Sequence, residues 1–281
     1  MNPNTLDTSR AFDRVAADYD VTYGSEGNAA MVWMRRENLA FLQHTFPPGS
    51  HLVEIGCGTG EEAVTLARGG RTVIATDISA RMAAVTRRKA VEAGLKDRVH
   101  ALALPAGEVG SLKPPHQMDG AYASFGALNC EPKLPAVAQG LARLVKPEGC
   151  LVVSVMGRTC LFEFLWYIIR ARPRRAVRRM TSGWVRVPVA GEGGREVTVP
   201  TRYLSVRQLA QAFAPTWQIE TTWAMPLLMP PPYAASLFGR YPKTVARLAR
   251  WDRRLRHRWP WRYLGDHQVV VFRRRMGEGG E

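Results

Sequence analysis

Residues 51–60 restrict the fold of this chain more than any other stretch. His51-Leu-Val-Glu-Ile55 is a short apolar run suited to a buried strand, and it passes directly into Gly56-Cys-Gly-Thr-Gly60. Glu61 and Glu62 come next, where acidic side chains suit the positive end of a helix dipole. A strand, a tight glycine turn and a helix in immediate succession form a unit of a parallel α/β sheet. Glycines at 56, 58 and 60 let the backbone turn sharply and approach a ligand where side chains would collide. The helix start behind them offers amides to polar ligand groups. A second β-branched run, Arg71 to Thr76, ends at Asp77, whose carboxylate is placed to accept hydrogen bonds from ribose hydroxyls.

The alternation of strand and helix signals continues. Ser79 predicts an N-cap for a helix over 81–93, closed by Gly94. Strands are expected over 98–102, 119–124 and 149–155, with a helix over 135–145 before the last of them. The connections between them are a few residues long, as in compact βα units.

Composition is ordinary for a globular chain: 281 residues, 46% apolar and 22% charged, enough for one large or two small domains. The apolar run from Leu161 to Ile169 is shorter than the roughly 18–20 residues a membrane span needs and contains Glu163. The polar first twenty residues do not read as a secretory signal. Four cysteines (57, 130, 150 and 160) have no metal-ligand spacing, so no metal site is expected, and the setting expected is reducing and cytoplasmic. The net charge of +15 is unevenly placed. Residues 1–156 hold sixteen basic and sixteen acidic residues, so the whole excess lies in residues 157–281. Coding bias toward arginine does not explain why the excess begins at a boundary.

The kind of nucleoside follows from the glycine spacing. A dinucleotide fold places its third glycine at the position held here by Glu61, and these glycines repeat as G-x-G-x-G instead. An acidic mouth, with Glu54 two residues before the first glycine, would repel a pyrophosphate but not a cationic sulfonium.

On these residues the chain resembles a known family. Val53-Glu-Ile-Gly-Cys-Gly-Thr-Gly60 is similar to the first signature of the class I S-adenosylmethionine-dependent methyltransferases, and Asp77 matches that family's acidic residue after strand two. Phe12-Asp-Arg-Val-Ala-Ala-Asp-Tyr-Asp20 resembles the N-terminal helix of the quinone- and biotin-pathway branch, where the segment closes over the cofactor. Leu144-Val-Lys-Pro-Glu-Gly-Cys-Leu-Val-Val153 resembles the entry to strand five. The resemblance spans roughly residues 10–156. It implies an α/β fold with a Rossmann-like, doubly wound, mostly parallel seven-stranded sheet, helices on both faces and inserted lid segments. It implies S-adenosyl-L-methionine as cofactor and S-adenosyl-L-homocysteine as product. The cofactor-binding residues expected are Tyr19, Glu54, Gly56, Cys57, Gly58, Gly60, Asp77, Ile78, Met82, Ala106, Ser124 and Phe125. An aspartate that family members carry after strand three is absent from Ala103-Leu-Pro-Ala-Gly-Glu108, so Glu108 or the backbone at Ala106 is left to meet the adenine.

The family core needs one more helix and two strands, which 205–213, 217–222 and 267–272 supply. The expected organisation is an N-terminal helical cap over 1–50, a cofactor-binding core over 51–156 and an insert over 157–204. Residues 205–281 then complete the sheet around a basic insert at 225–266. Segments at the carboxyl edge of a doubly wound sheet shape substrate pockets. In the first insert, 160–169 is an apolar lid helix or, with the arginines up to 179, a peripheral membrane anchor. Val185-Arg-Val and Glu196-Val-Thr-Val, with Pro188, Gly191, Gly193 and Gly194, suggest a hairpin. In the second insert a basic helix over 243–256 is read as burying Leu248, Trp251 and Leu255 on one face. Its arginines and aromatics also fit RNA. Pro230-Pro-Pro-Tyr233 stands in the wrong place to grip a flipped base, which after strand four would need an Asn/Asp-Pro-Pro-Tyr; the chain has Ser124-Phe-Gly there instead.

Methyl transfer from a sulfonium needs alignment above all, and a base only when the acceptor carries a proton. His116, Glu131 and Asn129 are the weak catalytic candidates, with His44 and His267 as further histidines. The expected reaction is in-line methyl transfer to a small apolar or anionic metabolite. The alternatives kept are an RNA methyltransferase and a membrane-associated lipid or quinone methyltransferase. The oligomeric state is not legible.

Overall fold

The structure, a computed structural model, describes residues 3–24, 27–190 and 196–276. Three helices, α1 (Pro3–Val15), α2 (Tyr19–Tyr23) and α3 (Ala29–Thr45), precede the sheet. The core then runs β1 (His51–Ile55), α4 (Glu61–Arg68), β2 (Thr72–Asp77), α5 (Ala80–Glu92), β3 (Val99–Ala103), β4 (Met118–Ala123), α6 (Leu134–Leu144) and β5 (Val145–Met156). Short 3-10 turns at Ala106–Ser111 and Ala127–Cys130 flank β4. After β5 come α7 (Leu161–Ile169), α8 (Pro173–Ala176), β6 (Val185–Ala190), β7 (Glu196–Thr201), α9 (Val206–Phe213) and β8 (Trp217–Met225). The chain closes with α10 (Ser236–Arg240), α11 (Pro242–Leu255) and β9 (His267–Arg274).

The central sheet has seven strands in the order β3-β2-β1-β4-β5-β9-β8. β1 to β5 are mutually parallel, and β9 is antiparallel to both β5 and β8. This is the α/β, Rossmann-like doubly wound sheet expected, with the strand order reversing between β1 and β4. Side-chain alternation builds the two layers. Val53, Ile55, Val270 and Phe272 pack with α6 and α9 on one face. Leu52, Val269, Val271 and Trp223 pack with α3 and α4 on the other.

Helix ends are set by the residues the chain supplies. The Ser79 side chain accepts from the Met82 amide and caps α5, and α9 starts with a reciprocal Ser205–Gln208 capping box. β5 begins at Val145, four residues earlier than its apolar run suggests, because Val145 already pairs with Met118 of β4; a bulge with Glu148 at φ of 61° follows before pairing resumes at Cys150 opposite Gly120. β6 and β7 form the expected two-stranded hairpin; its glycines at 191, 193 and 194 lie outside the described residues.

One expectation holds only in part. Leu248 and Leu255 of α11 are half-buried, but the residues it buries fully are Ala249 and Asp252, and Trp251 is 52% exposed with the Arg254 guanidinium over its ring. The side of the helix that turns inward is therefore one position away from the apolar stripe. The reason is Asp252, fully buried, whose Oδ2 accepts from the amides of Leu227, Leu228 and Met229. Three amides converging on one carboxylate fix the rotation of the helix more firmly than a tryptophan that can rest on arginine.

Both long insertions leave and re-enter at the same edge of the sheet. Residues 157–204 follow the carboxyl end of β5, and 226–266 join the carboxyl end of β8 to the start of β9. The glycine turn after β1 opens on that edge too. Among the described residues, no helix is long and apolar enough to cross a membrane.

Candidate active site

The glycine loop is shaped by its neighbours. Gly56, Gly58 and Gly60 have φ of 70°, 53° and 81°, a region that L side chains rarely adopt. A Cβ on Gly56 would lie 2.3 Å from Ala127 Cβ, and one on Gly60 would lie 2.6 Å from Thr86 Cγ2. Those two glycines admit close packing of the protein on itself. Gly58 differs: its nearest neighbour would be Tyr19 Cε1 at 3.8 Å, so its open side faces α2 across the crevice. The loop amides are largely committed. Gly56 and Cys57 both donate to the Thr76 carbonyl, Gly60 to Cys57, and Gly58 to Asp77 Oδ2 at 2.8 Å.

Asp77 is 6% exposed, and its Oδ1 accepts from the Ser79 amide at 2.8 Å. Burial raises its carboxyl to about 6, against the two backbone hydrogen bonds that lower it. A carboxylate has about four acceptor sites, so capacity remains beyond these two. Glu54 is buried at the end of β1, where burial and the nearby Glu62 push its carboxyl well above the ordinary range. Glu62 itself is ion-paired with Arg35 of α3, both of them buried. Arg35 also donates to the Tyr23 carbonyl and stands 5.2 Å over the Phe125 ring. Glu54 Oε2 and Arg35 Nε are sealed from solvent without a hydrogen bond of ordinary geometry, and so is the hydroxyl of Tyr122, which lies beside Glu54 across β1 and β4.

The N-terminal helices close over these groups. Thr59 Oγ1 donates to Asp20, while Lys89 bridges Asp20 and Glu61 at 2.6 Å each. The acidic mouth expected from Glu61 is thus partly neutralised. The ring of half-buried Tyr19 lies 4.7 Å from that of Tyr23, tilted by 34°, and meets Phe12 edge-on. Burial pushes its hydroxyl well up, so it stays protonated. Ser79 Oγ and the Arg81 amide both donate to Asp13 Oδ1, tying α1 to the tip of β2. Ser9 donates to the Ile78 carbonyl. Met82 is fully buried among Val15, Ala16 and Phe12, beneath α1. Ala106 begins a 3-10 turn beside the end of β3, and Glu108 in that turn is exposed. Cys57 is buried, its thiol pushed up by burial and 3.6 Å from Thr86 Oγ1.

After β4, Ser124 Oγ accepts from Asn38 of α3 at 3.0 Å. Phe125 takes φ of 51° and Gly126 φ of 85°. A bulky residue held left-handed at the point where the sheet reverses its order is strain of the kind kept at working sites. The Phe125 ring meets the His267 ring edge-on at 6.1 Å.

The weak catalytic candidates are spread apart. Asn129 is fully buried and holds the Met156 backbone on both sides, with a further hydrogen bond to Arg202 O at 2.7 Å. Glu131 accepts from the amides of Gly107 and Lys133. Both side chains fasten backbone. His116 is exposed beside His51, before β4 and at the opposite edge of the sheet; His44 is exposed on the last turn of α3. Glu131 and His267 both stand on the edge of the glycine loop, but the Glu131 carboxylate is taken up by backbone amides, whereas His267 starts β9 opposite Met156 and Met225.

Sequence reasoning missed the Arg35–Glu62 pair and the network behind His267. Arg35 and Asn38 share the i, i+3 face of α3 with Met31 and Met34, an apolar stripe in which polar residues have to find partners.

This sheet order, with a glycine turn after the first strand and a buried acid at the end of the second, is the fold of the class I S-adenosylmethionine-dependent methyltransferases, to which the chain is similar. Residues 52–149 match the family model described as a methyltransferase domain. The chain is 28% identical over 190 residues to a demethylmenaquinone methyltransferase of Symbiobacterium thermophilum, covering 60% of this chain and 73% of that one. It is 33% identical over 111 residues to a ubiquinone biosynthesis O-methyltransferase of Klebsiella pneumoniae, covering 39% and 44%. In fold it is similar to the CcbJ methyltransferase of Streptomyces caelestis, with a TM-score of 0.63 at 17% identity over 96% of this chain and 99% of that one.

Proposed function

We propose that the protein methylates a small, apolar or anionic metabolite, with the sulfonium donor held between the glycine loop and the N-terminal helices. The observation that carries this reading is the buried Asp77 beside Gly58, with two buried polar atoms of opposite kind, Glu54 Oε2 and Arg35 Nε, next to them, neither in a hydrogen bond of ordinary geometry. Asp77 and Ile78 would take the ribose, and Ala106 the adenine. Glu54 and Arg35 suit the ammonium and carboxylate of the amino-acid end. Gly56, Cys57, Gly58 and Gly60 form the floor; Tyr19, Met82, Ser124 and Phe125 wall the site, Met82 from behind α1. The cofactor supplies an activated methyl group, so the chain's part is to align the acceptor and exclude water, worth about 7–11 kcal/mol in favourable cases.

In this reading 1–50 is the cap, 51–156 the cofactor core, and 157–204 with 225–266 the substrate side. Titration calorimetry with S-adenosylhomocysteine and NAD tests it. Micromolar binding of the former, weakened by about 1–3 kcal/mol in Asp77→Ala, is expected. NAD binding in its place would overturn the reading.

One observation favours a membrane-associated variant of the same reaction. Leu165, Ile168 and Ile169 of α7 are 48%, 46% and 83% exposed, with Val177 and Met180 beyond them. Exposed arginines 170, 172, 174 and 175 border this patch. An apolar face rimmed by cations suits the surface of an anionic bilayer, from which an apolar acceptor would be drawn.

A further inference from the structure

His267 is joined to the first insert by a buried chain of charges. Its Nδ1 is 2.8 Å from Asp266 Oδ2. Asp266 Oδ1 takes Arg179 Nη2 at 2.5 Å, and the same guanidinium reaches Glu163 of α7 at 2.6 Å. Arg179 also donates to the Asp266 carbonyl, and Arg178 to the far oxygen of Glu163. Cys160 and the two carboxylates come within 4.8 Å of one another as a metal site would, but the cation among them is the arginine itself. Asp266 is thereby held ionised with one oxygen turned to the imidazole. An imidazole that donates Nδ1–H to a carboxylate presents a lone pair at Nε2.

That second nitrogen is not spent. Among the described residues no group hydrogen-bonds His267 Nε2, and it is not one of the sealed, partnerless polar atoms, so it keeps contact with solvent although the residue is only 7% exposed. The ring lies against Phe125, the strained residue at the reversal of the sheet, on the edge that carries the glycine loop. The charged groups facing the ring are Asp266 behind it, Arg179 and Glu163 from the insert, and Arg35 across Phe125.

We propose that His267 is the general base of the transfer, oriented by Asp266, and that the acceptor atom is a hydroxyl oxygen. This rests on the methyltransferase reading above. In the step, the acceptor O–H proton passes to His267 Nε2 as the oxygen lone pair bonds to the methyl carbon. The carbon–sulfur bond breaks with its pair staying on sulfur, and the imidazolium then releases its proton to water. Asp266 and Arg179 are positioning residues. A hydroxyl needs this help because a phenolic proton has a pKa of about 10. A base of this kind contributes about 10²–10⁴-fold.

The test uses the full chain and a series of phenols and catechols from phenol to nitrophenols. S-Adenosylhomocysteine binding is measured first on the wild type and on His267→Gln; failure in the wild type sinks the underlying reading, whereas equal binding in both isolates the base. His267→Gln is then expected to lose at least 100-fold in kcat on phenol and far less on nitrophenols that are already ionised. Absorbance of 4-nitrophenol bound with S-adenosylhomocysteine reads the proton directly, without turnover. The phenolate fraction at pH 6 should exceed that in water for the wild type and not for the variant. A variant that fails to fold leaves the wild type to decide, since an enzyme-held base makes its rates nearly independent of acceptor acidity. Unchanged kcat in His267→Gln, equal phenolate fractions, a steep wild-type rise with acidity, or no phenol methylated at all would each overturn the assignment.

Discussion

Asp77 puts two opposite demands on one carboxyl group. Burial holds it near 6, so protonation relieves the free protein, while the ribose hydroxyls of the proposed cofactor would need the ionised form. Because its folded pKa is raised, its contribution to the stability of the free protein is present below the unfolded value of 3.8 and is lost as the pH rises through about 6. Cofactor affinity should run the other way. S-Adenosylhomocysteine binding is expected to fall by up to about tenfold per pH unit below 6, and Asp77→Asn should be weak and flat over that range in the same calorimetric series. Residue chemistry of this sort was largely legible in advance: Gly56, Gly58, Gly60 and Asp77 stand together because a strand leads into each turn. The burial of Glu62 was not legible. A glutamate in the first turn of a helix reads as a dipole partner, and only the approach of α3 with Arg35 makes it half of a buried ion pair.

At the scale of elements, the strands were readable from their β-branched runs, and the strand order followed once the resemblance was recognised. The rotation of α11 was not. Its stripe of Leu248, Trp251 and Leu255 is a sound amphipathic pattern, yet Asp252 meets three amides from the turn after β8, a contact between residues over twenty positions apart. Asp252→Ala would strand those buried amides and should cost about 2–3 kcal/mol in urea unfolding, whereas Trp251→Ala should cost little. The exposed face of α7 belongs to this scale as well. Sedimentation with vesicles containing anionic lipid should be lost on Ile169→Asp and weakened by salt. No difference between anionic and neutral vesicles would remove the membrane-associated variant.

Across the whole molecule, the excess of positive charge after residue 156 has a structural answer in part. Arg253 and Arg256 both pair with Glu37 of α3, and Arg186 with Asp7 of α1, so basic residues after 156 fasten the N-terminal helices. Arg179 acts in the interior. Burial alone would raise the Asp266 carboxyl, but Arg179 and His267 outweigh it and hold it well below the carboxylate range. A depressed folded pKa contributes stability that is complete above 3.8 and is lost as the pH falls below that value. Urea midpoints followed from pH 5 downward should drop accordingly. Arg179→Met, which leaves Glu163 to Arg178 and Asp266 to His267, should start lower, by up to about 3–5 kcal/mol, and show a shallower acid limb. None of this could be read from the arginine-rich composition, because pairing depends on which acids the fold brings near.

Arg179 belongs to one inserted stretch and Asp266 to the other, so a single guanidinium stitches together regions eighty-seven positions apart in the chain. Neither stretch is then a free-standing module. Grafting either one alone onto a related scaffold, to redirect acceptor choice, would sever the stitch; the two have to be exchanged as one piece.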